Sequence, residues 1–171
     1  MTPYALHDPP VFFVISSGAS DANSRLAHML ADIRNHARNN ATDWRSATKS
    51  EIERIALECS VKNWDGYGAQ PVSQSAKRHA QRFVDELPFR LGAPEAAADP
   101  DGDISLVWDL GPGHVFTVSV SGAGQLSFAG LLGEGRQRHG VEPFEESVPI
   151  FIVETLDELH QRAAATRKAA A

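Results

Sequence analysis

The spacing of apolar residues changes near residue 104. Before that point they recur every three or four positions, the period of one helix face. Leu26, Met29, Leu30, Ile33 and Ala37 form one such stripe, capped by Ser20 or Asp21 and ended by RNNA at 38–41. Ile52, Ile55, Ala56 and Cys59 form a second, which Ser50 and Glu53 open as a capping box. Ala76, Ala80, Phe83, Val84 and Leu87 form a third, capped by Ser73 and stopped by Pro88. After that point the period is two. Ile104, Leu106, Trp108 and Leu110 alternate with Ser105, Val107 and Asp109, and GPG at 111–113 turns the chain. Phe116, Val118 and Val120 line the next strand, SGAG turns it, and Leu126, Phe128 and Leu132 line a third. Gly130 reads as a bulge or a close approach.

The remaining segments are less regular. Residues 1–10 read as an extended arm and VFFVIS at 11–16 as a strand without a hairpin partner. GAPEAAADPDGD at 92–103 reads as an exposed linker and GEGRQRHG at 133–140 as a polar loop. VEPF at 141–144 offers a fourth short strand. PIFIV at 149–153 suits a strand. Ile152, Val153, Leu156 and Leu159 fit a helix face, which Pro149 favours as far as about Arg162, and Thr155 and Glu158 would cap a later start. The expected organisation is an N-terminal arm and strand (1–20), a single domain (21–165) and a flexible tail (166–171). The expected class is α+β: N-terminal helices packed on one face of a three- to four-stranded antiparallel β-meander, with a C-terminal helix. A lone meander cannot bury its apolar side, so the helices must cover it.

Composition narrows the function. The 171 residues are 42% apolar, enough for one folded domain with a real core. The net charge of −6 and the absence of a basic cluster argue against nucleic-acid binding. One cysteine, Cys59, excludes an internal disulfide and a Cys-based zinc site, and suits a reducing cytoplasm. On its apolar face Cys59 reads as a small buried hydrophobe. No apolar run approaches the ~20 residues that span a bilayer. MTPYALHDPP has no basic stretch leading into an apolar one, so no signal peptide is expected.

NWDGYGAQPV at 63–72 is the least ordinary stretch. Asn63 tolerates a left-handed helix end, Asp65 can form an Asx turn, Gly66 and Gly68 admit positive φ, Trp64 can fold onto the core and Tyr67 can pack beside the turn. Such a turn also displays Asp65 and Tyr67 as a site. Three stretches in order, NWDGYGAQPV, GQLSFAGL (124–131) and HGVEPF (139–144), resemble an uncharacterised family of small bacterial proteins. That family pairs a WDGYGA turn with a meander ending in G-x-L-S-[YF]-A-G-L and HG-x-E-x-F. The resemblance covers about residues 63–160. It implies a soluble bacterial protein of an accessory or mobile-element kind, and carries no activity.

Two sets of residues could support chemistry. Asp65, Tyr67, His139 and Glu142, if they converged, would suit acid–base catalysis or a metal-dependent hydrolase. His28, Asp32 and His36 lie along one side of the first helix, where two of them could hold a metal. The glycine turns lead into strands, so they lack the helix N-terminus a phosphate loop needs. The favoured reading is a binding or inhibitor protein of antitoxin, immunity or anti-defence type, without a cofactor. Its partner would be another protein, or a second copy, met through Val11, Phe12, Phe13, Val14 and Ile15.

Overall fold

The computed structural model describes residues 44–144 and 147–169. Val11 to Ile15, His28, Asp32 and His36 lie outside these residues.

The protein is α+β. The described elements are α1 (44–58), α2 (Gln74–Glu86), a 3₁₀ turn (Phe89–Leu91), β1 (Glu95–Ala98), β2 (Ile104–Asp109), β3 (His114–Val120), β4 (Gln125–Leu132), β5 (Gln137–Pro143) and α3 (Ile150–Ala169). The sheet is an antiparallel meander in the order β1-β2-β3-β4-β5.

It has five strands where three or four were expected. EAAA, read as linker, pairs with β2 as β1. Alanines have weak strand preference, and here the neighbouring edge of β2 supplies the order. β5 begins at Gln137, so the expected polar loop shortens to 133–136. Its residues are polar because β5 is, among the described residues, an edge strand whose side chains are mostly exposed.

Helix boundaries moved for similar reasons. Ser50 and Glu53 lie inside α1, which is already helical at Trp44, because Thr48 continues the buried stripe one turn upstream of Ile52. α2 starts as expected, with the Ser73 hydroxyl accepting from Ala76 N–H at 3.0 Å. Residues 150–155 are helical, and α3 continues past Arg162 to Ala169. Thr155, a candidate cap, is instead buried inside α3 and donates to the Phe151 carbonyl at 2.8 Å.

One core lies between the three helices and one face of the sheet. Ile52 and Ala56 of α1, Phe83 and Val84 of α2, and Ile152, Leu156 and Leu159 of α3 join Ile104, Leu106, Phe116, Val118, Leu126 and Phe128. Trp108 is buried and donates its indole N–H to the Leu91 carbonyl, tying β2 to the 3₁₀ turn. Two cross-strand pairs on this inner face join an aromatic to a glycine: Phe116 with Gly130, and Phe128 with Gly140. A Cβ on Gly140 would lie 2.6 Å from the Phe128 ring, so the glycine makes room for the ring. The close approach expected at Gly130 is the same arrangement one strand earlier.

Candidate functional site

The WDGYGA corner joins α1 to α2. Asn63 takes φ 64°, and its carbonyl and side chain accept from Gly66 N–H (3.0 Å) and Gly68 N–H (2.7 Å). One Asp65 oxygen accepts from Tyr67 N–H at 2.8 Å and Ala69 N–H at 3.1 Å. The Trp64 indole donates to the Gln70 carbonyl at 2.9 Å. Asn63 N–H bonds the Ala69 carbonyl and Val72 N–H the Cys59 carbonyl, which closes the loop on itself. One side-chain oxygen each of Asn63 and Asp65 and the Trp64 indole N–H are therefore spent within the loop.

The corner docks on the β1–β2 turn. Gln70 N–H bonds the Pro100 carbonyl at 2.8 Å. Gly102, at φ 92°, lies where a Cβ would come within 2.8 Å of the Pro71 carbonyl. DPDGD and WDGYGAQP are thus two halves of one joint. Two side chains differ from expectation. Trp64 is half-buried and spends its N–H on the loop instead of joining the core, and Tyr67 projects with 95% of its surface exposed. Cys59 is half-buried, and that burial raises its thiol pKa above the ordinary range, away from a nucleophile's needs.

The two amide bonds hold the Asp65 carboxyl below the usual carboxylate range. A depressed pKa in the folded state stabilises the fold above the unfolded pKa of about 4, and this is lost as pH falls through the folded value. Asp65→Asn should therefore flatten the acid limb of the stability curve below pH ~4, measured by urea unfolding across pH. An unchanged acid limb would show that the two bonds add nothing to folding.

The candidate catalytic residues are not assembled. Asp65 and Tyr67 lie at the corner, beside the β1–β2 turn, while His139 and Glu142 lie on β5. Three strand spacings separate β2 from β5, about 14 Å. His139 and Glu142 also lie on opposite faces of β5. His139 stands opposite Ala129 on the outer face, and Glu142 opposite buried Leu126 on the helix face. A three-residue separation in a strand enforces this. Among the described residues, no group of three His, Cys, Asp or Glu side chains could hold a metal.

Two features were missed from sequence. The first is His114, buried at the start of β3, with Nδ1 3.0 Å from the Pro112 carbonyl and Nε2 3.5 Å from Thr166 Oγ1. Its place two residues before Phe116, in phase with Val118 and Val120, was the signal: the alternation sets His114 on the inner face.

The second is the outer face of the sheet, formed by three cross-strand rows. Val107, Thr117, Ala129 and His139 make one; Ser105, Ser119, Ser127 and Val141 the next; Asp109, Val115, Leu131 and Gln137 the third. Asp99 accepts from both the Ser105 and Ser119 hydroxyls at one margin. Shallow grooves run over Ala129 and Ser127, walled by Thr117, His139 and Val141. The three helices cover the other face, and Leu131 and Val141 are about half exposed, at 44% and 54%. Small and aliphatic side chains fill the β3–β5 part of this face, while its acidic groups, Glu95, Asp99 and Asp109, stand toward β1 and β2. The signal was present as the polar half of the period-two pattern, which reads as solvated until its Ala, Val and Leu members are counted.

No helix among the described residues is long and apolar enough to cross a membrane. Comparison with protein-family models, curated proteins and solved structures finds no match to the chain.

Proposed function

We propose that this is a non-enzymatic bacterial binding protein that acts by protein–protein contact through the outer face of its sheet. One observation carries the reading. The side chains that could catalyse lie on separate elements and faces, whereas a broad surface of Thr117, Ser119, Ser127, Ala129, Leu131 and Val141 stands opposite the helices. Flat, weakly charged surfaces with exposed aliphatic groups suit a protein partner, because contact removes apolar area from water without stripping charges. The net charge of −6 keeps such a protein soluble and steers it toward a basic partner. An inhibitor of antitoxin, immunity or anti-defence type is the form of this function that a small acidic chain best fits. The arm at Val11 to Ile15 is a second surface for the same partner.

The test begins with the native complex purified from its own cell and the co-purifying chain identified. Binding of that purified chain is then measured for the wild type and for Ala129→Arg. A long cation at the centre of the outer face should weaken binding at least about tenfold while the circular dichroism spectrum stays native. Equal affinity for both forms would remove the outer face from recognition. Deleting residues 11–15 tests the arm separately.

A further inference from the structure

The two edges of the sheet differ. β1 is four residues long, while β5 is seven and, among the described residues, pairs on one side only. Its inward bonds are set by Leu132 N–H to the Arg136 carbonyl and Phe144 N–H to the Gly124 carbonyl. Alternation then turns the backbone groups of Arg138, Gly140 and Glu142 toward β4, and those of Gln137, His139, Val141 and Pro143 outward. Pro143 sits where its missing N–H costs no bond within the sheet.

This edge is complementary to itself. If a second β5 is laid antiparallel about a two-fold axis through Gly140, Arg138 falls opposite Glu142 twice, and His139 opposite Val141 twice. His139 and Val141 are the outward residues, so each of those pairs exchanges both backbone hydrogen bonds. Arg138 and Glu142 form non-hydrogen-bonded pairs, in which side chains approach most closely. Both already lie on the helix face: Arg138 stacks over Phe151 and bonds Glu158 at 3.0 Å, and Glu142 is exposed on the same side. A register centred on His139 would set Arg138 against glycine, and one centred on Val141 would set Glu142 against glycine; each pairs only five residues of β5, whereas the Gly140 register pairs all seven and meets Pro143 only at the ends, opposite Gln137. Among pairs that lie within β5, the Gly140 register alone matches charge on both sides of the axis; the His139 register would meet Glu142 only with Arg136, outside the strand. We infer that a second copy of this chain pairs with it, β5 against β5, across a two-fold axis at Gly140. The two outer faces then run on as one continuous surface. This inference does not depend on the partner proposed above: loss of the dimer would leave binding through Ala129 open, and loss of that binding would leave the dimer.

The experiment is the native mass of the full chain by light scattering at several concentrations, for the wild type and two charge variants. The wild type should approach twice the chain mass. Glu142→Arg and Arg138→Glu should each raise the dimer dissociation constant at least about tenfold, since each sets like charges opposite one another twice. Mixed together, the two variants should recover a heterodimer, because both pairs are then complementary. Val141→Pro, which removes an outward donor and no bond to β4, should also give a monomer, and it decides the matter should Arg138→Glu fold poorly for want of its bond to Glu158. A monomeric wild type would overturn the inference. So would a dimer that survives both Glu142→Arg and Val141→Pro, which would place the contact elsewhere, the 11–15 segment included.

Discussion

Phe83→Ala should lower the unfolding free energy by about 4 kcal/mol, the largest effect expected of any single truncation in this fold. Phe83 is fully buried on α2 and meets the Phe144 ring edge-on, with centroids 5.6 Å apart. It therefore joins α2 to the segment leaving β5, so removing the ring opens a cavity between two elements distant in sequence. Neither can close it alone, because α2 is held by the Ser73 cap and Phe144 by its amide bond to Gly124. Urea unfolding should show a lower midpoint with an unchanged slope. A loss below about 1 kcal/mol would mean that the helix layer collapses freely onto the sheet, against the close packing inferred for it.

Gly130→Ala comes next, at about 3 kcal/mol, an overpacking cost at the upper end of its usual range. A methyl group there would run into the ring of fully buried Phe116 and come within 2.9 Å of the Val115 carbonyl oxygen. The backbone oxygen cannot move without breaking the β3–β4 ladder, and the ring has no free space to enter. Gly140→Ala is the comparison. It meets only the Phe128 ring, nearest at its tip, so it should cost less. Phe116→Leu in the Gly130→Ala background should recover part of the loss, a non-additivity measurable in a double-mutant cycle. Strict additivity would show that the alanine acts through something other than the ring.

The same geometry explains the stretches that carried the family resemblance. In GQLSFAGL and HGVEPF, Gly130 and Gly140 receive the rings of Phe116 and Phe128. In NWDGYGAQPV, the backbone of Gln70 and Pro71 locks onto Pro100 and Gly102. These residues are accounted for as scaffold.

The local physics of the chain already specified much of this protein. Period-three-to-four stripes put Ile52, Phe83 and Leu156 on buried helix faces, because one stripe of a helix must leave water. Period-two alternation put Leu106, Phe116 and Leu126 on one side of a sheet for the same reason. Ser73, Pro88 and the glycine turns marked their boundaries through backbone chemistry that acts over a few residues. The long-range features were set elsewhere. EAAA became a strand because β2 offered it hydrogen bonds, a partner that no property of alanine encodes. Asp65 and His139 were placed apart by three strand spacings, and His139 and Glu142 on opposite faces by the pleat, so residues suited to one site never met. The outer face, open among the described residues, is a sum over strands brought into register only when the meander closed; the Arg138, Gly140, Glu142 pattern is local to β5, and the tertiary structure decided only that this strand stands at the sheet's edge.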